Sequence, residues 1–294
     1  MKRVFDYEIS DAHVHSGMCN ILGVTVSLSE LKKYISRTKL SLAFPLDAAL
    51  LWQNQALIRL VEMIENAYGL FRIQLDSLNY YLITLETALN QTDKILGVKL
   101  HPSFDKLPVT HAEFDPIFNR LEKDGLIALI HCGRWIEVSG SHHAIERAMK
   151  HPDITFIIAH MGGNEFDLSL KTIKAAGALE NVYLDTSNCR VPKVIEKAVE
   201  ALGSHRVLFG SDAPWGSSLS NAYTIVAAGI DDQDKRLILS ENLENLVERH
   251  MTSRADTLKT IEKARPLENI YFDASDHRLP QVIEDGGGST PGGV

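Results

Sequence analysis

The 294-residue sequence is poor in cysteine: Cys19, Cys132 and Cys189 form an odd, widely spaced set with no CxxC. That excludes a disulfide framework and suits free thiols in a reducing compartment. Long apolar runs are also missing; nothing reaches about 18 residues, so no membrane span is expected. No apolar secretory core follows the charged residues Lys2, Arg3, Asp6 and Glu8, and the expected location is the cytoplasm. Positive charge is in deficit, with 30 Lys+Arg against 38 Asp+Glu and a net charge of −8. This argues against nucleic acid or an anionic membrane surface as the main partner. What remains is an ordinary globular composition, 45% hydrophobic and 23% charged. The length fits one large α/β domain or two small ones.

Eight apolar runs alternate with helical patterns. They lie at 9–15, 40–46, 71–78, 95–101, 126–131, 155–160, 182–186 and 207–212. Residues 48–67 carry apolar positions at three- and four-residue spacing, and Gly69 closes that predicted helix. Further helices are expected near 27–37, 79–91, 111–124, 141–150, 166–176, 192–202, 218–228 and 232–249. Continuous apolar strands are those buried on both faces. The pattern predicts a (β/α)8 TIM barrel over residues 1–249 with a C-terminal extension, 250–294. A doubly wound open sheet is the alternative, since periodicity does not report closure.

Unusual polar residues fall where the apolar runs end. His13 and His15 end the first, Lys99 and His101 the fourth, His131 the fifth, His160 the sixth and Asp212 the eighth. Asp11, His13 and His15 are spaced two apart and would line one wall of a strand. In a barrel, all these strand ends share the rim that carries active sites. A single histidine at a strand end is more often a satisfied core residue. Burying this many titratable groups without a metal, however, would be costly. Imidazoles plus a carboxylate suit zinc or another borderline divalent ion with a position open for water. Arg134 and Trp135 follow the fifth run, Arg190 the seventh and Trp215 the eighth. Arginines there could clamp a carboxylate, although a rim arginine is more often solvated.

The motifs DAHVH (11–15), GVKLHP (97–102), LIHCG (129–133), IIAHMGG (157–163), NVYLDTS (181–187) and LFGSDAPWG (208–216) resemble, in order, those of the amidohydrolase superfamily. The resemblance is to its amidohydrolase-related branch, which also holds decarboxylases of the aminocarboxymuconate-semialdehyde type. It implies that His13, His15, His131 and Asp212 bind the metal, and that His160 orients water or completes the shell. It implies one metal ion, with Lys99 a plain cation for a substrate carboxylate. In binuclear members of the superfamily the strand-four lysine is carbamylated and bridges two metals, the less favoured arrangement here.

The expected reaction is hydrolysis of an amide, ester or lactone bond in a small, carboxylated substrate. Asp212 would act as general base and acid, and His160 would support the developing charge. Lys99, His101, Arg134, Trp135, Arg190 and Trp215 would face the substrate. Non-hydrolytic decarboxylation is the alternative, because it uses the same ligands. A non-catalytic barrel serving as a binding protein is a third reading, and a homo-oligomer is left open. Beyond the barrel, residues 258–284 repeat 170–196 with 16 identities in 27 positions, and a Gly-rich stretch closes the sequence.

Overall fold

The computed structural model describes residues 6–47, 49–133 and 135–264, with side chains to residue 253. It divides into residues 1–256 and 257–294. The predicted repeat at 258–284 lies mostly outside the described residues.

A nine-stranded sheet runs through the first unit. Its strands are β1 (Ser10–Cys19), β2 (Val24–Val26), β3 (Leu40–Pro45), β4 (Ala67–Arg72) and β5 (Ile95–Leu100). β6 (Ile127–Ile130), β7 (Phe156–Ile158), β8 (Val182–Asp185) and β9 (Val207–Leu208) complete it. Strand order is β2-β1-β3-β4-β5-β6-β7-β8-β9; only β2 is antiparallel, forming a hairpin with β1. Helices join the parallel strands, among them α1 (Leu28–Ile35), α2 (Trp52–Met63), α3 (Leu78–Gln91), α4 (Pro102–Asp105) and α5 (Asp115–Asp124). α6 (Ile136–Ser139), α7 (Ser141–Lys150), α8 (Phe166–Ala176), α9 (Pro192–Leu202), α10 (Ser218–Ala227) and α11 (Asp232–Arg236) follow. α12 (Asn242–Ala264) runs on past the expected boundary at 249. No helix is long and apolar enough to cross a membrane among the described residues.

The sheet has an apolar layer on each face. One face packs against the surrounding helices through residues such as Phe71, Val98, Ile130 and Leu184. The other holds Ala12, Leu42, Phe44, Leu70, Leu96, Leu129, Ile157, Tyr183 and Leu208, with Leu243, Leu246 and Val247 of α12. Backbone hydrogen bonds also join β1 to the segment after β9. Ala12 N–H donates to Phe209 O, Asp212 N–H to His13 O and His15 N–H to Ala213 O, each at 2.9 Å.

Two elements depart from the sequence pattern for identifiable reasons. The third parallel strand is 67–72 rather than 71–78, and Gly69 lies inside it instead of ending a helix. A Cβ there would stand 2.7 Å from Ile95 Cδ1 and 3.1 Å from Leu57 Cδ2. Glycine serves close packing at that point rather than helix termination. In β1, the pairing with β3 shifts register between Asp11 and Val14. A bulge breaks strict alternation, so Asp11 does not share the wall of His13 and His15.

Candidate functional site

At the C-terminal ends of the parallel strands, the sequence-predicted residues converge as two linked groups. The first is built on β1 and the turn after β9. His13 Nε2 lies 3.2 Å and His15 Nε2 3.0 Å from the same Asp212 oxygen, Oδ1. Asn188 Nδ2 donates to the other oxygen, Oδ2. Lys99 Nζ reaches His13 Nε2 at 3.4 Å and sits over the Phe44 ring at 4.8 Å. The second group is built on β6 and the turn after β7. His131 Nδ1 lies 3.1 Å from His160 Nε2, and the His131 ring stacks on His101 with centroids 3.7 Å apart.

Asp185, at the end of β8, connects the two groups. Its Oδ2 accepts from His13 Nδ1 at 2.8 Å. Its Oδ1 accepts from the backbone N–H of His160 (3.1 Å) and from Ser187, whose Oγ is 2.8 Å from His160 Nδ1. A carboxylate on one imidazole nitrogen fixes the tautomer and leaves the other nitrogen facing the site. Gly210 makes room for this contact: a Cβ there would lie 3.0 Å from His13 Cβ and 3.1 Å from Ser187 Cβ. Asp11 supports from beneath. Its Oδ1 accepts the backbone N–H of His13 and of Ser211, each at 2.9 Å, and its Oδ2 accepts the Tyr34 hydroxyl.

The backbone at these turns is unusual for residues with side chains. His160, Met161, Asn188 and Asp212 have φ of 58°, 54°, 58° and 58°. This left-handed region is sparsely used outside glycine, and such residues gather where surrounding structure overdetermines a functional geometry.

Burial sets the protonation of the groups. It pushes His15 and His160 down to about 4, with Asp212 opposing the shift at both. His101 and His131 are held well below the usual histidine range, first by burial and then by neighbouring imidazoles. Burial also lowers Lys99 to about 7. His13 is the exception. Burial and Lys99 oppose its charge, yet Asp185 and Asp212 outweigh them and raise its pKa. Asp212 and Asp185 are both held well below the carboxylate range by the histidines beside them, His13 above all, despite burial. The acidic groups around His13 thus favour positive charge between its Nε2 and Asp212 Oδ1.

That is the test a metal must pass, and the residues fit one. The ligand atoms of His13, His15 and Asp212 lie within 4.8 Å of one another, as do those of His13, His160 and Asp185. His131 belongs to neither set; its Nδ1 faces His160 instead. Around the rim, Trp135 and Trp215 are 63% and 44% exposed, and Arg190 is exposed. Arg134 lies outside the described residues. A cavity of about 570 Å³ lies between the β1–β2 hairpin, α1 and α2, with Ser16 and Gly17 in its lining and none of the site residues named above.

A parallel α/β sheet that gathers histidines, two aspartates and a lysine at one end defines a class of scaffold built for metal-assisted chemistry on small molecules. The chain belongs to the amidohydrolase family, whose model matches residues 49–247. The match begins after β1, so the His13 and His15 assignment rests on geometry. Comparison with curated proteins finds no match. Solved structures similar to the chain include a 2,6-dihydroxybenzoate decarboxylase from Rhizobium (14% identity, 82% of this chain and 99% of that chain, TM-score 0.65). A 5-carboxyvanillate decarboxylase from Novosphingobium aromaticivorans, complexed with manganese and 4-hydroxy-3-methoxy-5-nitrobenzoic acid, aligns at 12% identity (82% and 96% covered, TM-score 0.63). A candidate 2-pyrone-4,6-dicarboxylic acid hydrolase from Pseudomonas putida aligns at 14% identity (82% and 97% covered, TM-score 0.63). At these identities the likeness is one of fold.

Proposed function

We propose that this chain is a metal-dependent, non-hydrolytic decarboxylase acting on a small carboxylated substrate, on a closed eight-stranded parallel barrel. Closure is supported by the three hydrogen bonds from β1 to the segment after β9. It is also supported by one apolar layer that collects residues from all eight parallel strands. His13, His15 and Asp212 would hold one divalent ion, and His131 and His160 would face the substrate beside it. The manganese in similar structures makes manganese as suitable a choice as the zinc expected from the ligand types. When bound, the ion would withdraw electron density from the substrate and stabilise the charge left as carbon dioxide departs.

Lys99 Nζ stands 3.4 Å from His13 Nε2, which suits a carboxylated substrate in either reaction. The observation that carries the choice is that both oxygens of Asp212 are engaged, leaving no free carboxylate to deprotonate a water. A buried cation beside the metal position suits a substrate carboxylate. Asp212 fits a ligand better than a base, since both its oxygens are engaged and its pKa is held low. Decarboxylation breaks a C–C bond, leaves the electron pair on carbon and requires one proton there. The neutral His131–His160 pair, backed by Ser187 and Asp185, can relay that proton from solvent water to the carbon, accepting on one ring nitrogen as it gives from the other. A second reading, hydrolysis of a lactone or amide by an activated water, is favoured by the candidate pyrone hydrolase among similar folds.

The deciding experiment offers manganese-loaded protein a panel of hydroxybenzoates and pyrone carboxylates in ¹⁸O-water. Release of carbon dioxide with no ¹⁸O in the organic product is the expected result. An ¹⁸O-labelled acid without carbon dioxide would instead establish the hydrolase.

A further inference from the structure

One buried charge has no task in this chemistry. Arg72 ends β4, two residues beyond Leu70 of the inner apolar layer, and is only 3% exposed. Its Nη1 nevertheless has no hydrogen-bond partner among the described residues. Burial lowers its pKa to about 10, against the favourable Asp105 and Asp47, and both carboxylates accept backbone N–H groups: Asp105 from Leu75 and Asp47 from Ala49, each at 2.9 Å. The guanidinium rests over the Phe104 ring at 5.5 Å. His101, at the end of the next strand, meets the same ring edge-on at 4.6 Å, and its Nδ1 is also buried without a partner among the described residues. Buried polar groups are expensive to leave unpartnered, so the Arg72 donor and a His101 Nδ1 that can donate in one tautomer, beside one ring, point to an acceptor that the chain does not itself supply.

Arg72 and Lys99 are paired in register across β4 and β5, yet they serve different places. Lys99 faces His13 and Phe44, whereas Arg72 borders Phe104 and His101. We propose that Arg72 Nη1 and His101 Nδ1 seat a second carboxylate of the substrate, which is therefore a dicarboxylate anchored at two corners of the site. This rests on the reading that the first carboxylate lies beside Lys99. The planar guanidinium fork matches carboxylate geometry, and lysine does not reproduce it.

The test is calorimetric binding to manganese-loaded, full-length protein, with no turnover required. The probes are benzoate, its 2-, 3- and 4-carboxy derivatives, and 3-carbamoylbenzoate. At least one dicarboxylate should bind roughly tenfold or more tightly than benzoate, while 3-carbamoylbenzoate should gain little. Arg72→Gln should erase the gain, a loss of roughly 30-fold for the favoured dicarboxylate, and leave benzoate unchanged. Arg72→Lys should keep only part of it. The proposal is overturned if no dicarboxylate gains over benzoate, or if the gain survives both variants. Should Arg72→Gln not fold, the carbamoyl comparison on unaltered protein and Arg72→Lys decide alone. A persistent gain without carbon dioxide release would retire the proposed reaction and leave the seat standing.

Discussion

The two ends of the same parallel strands do opposite work. Toward α12, the inner face is filled by Leu40, Leu96, Ile127, Tyr183 and Leu208 against Leu243, Leu246 and Val247. Hydrophobic burial there favours the fold. At the other end the same strands present His13, His15, Arg72, Lys99, His131, His160, Asp185 and Asp212, with left-handed backbone at three turns. One end stores stability, and the other spends some of it on desolvated, strained groups. A site this costly is sustained by the apolar layer beneath it, so the two ends should respond to different perturbations.

Acid should separate them most. His15 and His160 titrate near 4 in the folded chain and near 6.5 when unfolded. The unfolded state then binds more protons, so stability falls as pH drops from about 6.5 to about 4, by up to ~3 kcal/mol for each group. His101 and His131 act in the same direction and His13 in the opposite one. Thermal melts across this window should show a steep loss; a flat profile would mean these imidazoles are not buried neutral. Asp212→Asn is next. Metal affinity and turnover should be lost together with the fold intact, because a ligand is removed, measured as a metal titration and an initial rate beside a melting curve. Leu243→Ala, at the opposite end, should cost about 2–4 kcal/mol of stability in urea unfolding while activity per folded molecule holds. Asp185→Asn should be mildest, weakening metal binding by roughly 10- to 100-fold in a competition titration. If it melted the protein as Leu243→Ala does, Asp185 would belong to the scaffold rather than to the site.

The half of the site nearest β1 and β6–β9 was legible from sequence because each polar group follows an apolar run directly. His13, His15, His131, His160 and Asp212 stand where such runs end. Asp185 ends a run in the same manner, but its purpose, holding His13 Nδ1, depends on a partner 172 residues away. Arg72 was hidden by Gly69. Read as a helix stop, the glycine pushes the strand four residues on and puts Arg72 near its start. The constraint that places Gly69 inside the strand comes from Ile95 and Leu57 and has no local signature. The β1–β2 hairpin was likewise missed, since Val24–Val26 is too short to show a period.

The left-handed backbone of Asp212 also bears on how this chain can change over evolutionary time. A single-base change in an aspartate codon reaches Asn, Gly, His, Glu, Ala, Val or Tyr. Of these, Gly, Asn and His accept φ of 58° most readily. Valine would disrupt the turn as well as the chemistry. Substitutions that silence this position while sparing the fold are thus confined to a narrow set. A descendant that had lost the role proposed for Asp212 would carry asparagine, glycine or histidine at 212 on an otherwise undisturbed frame, a molecular fossil recognisable from one residue.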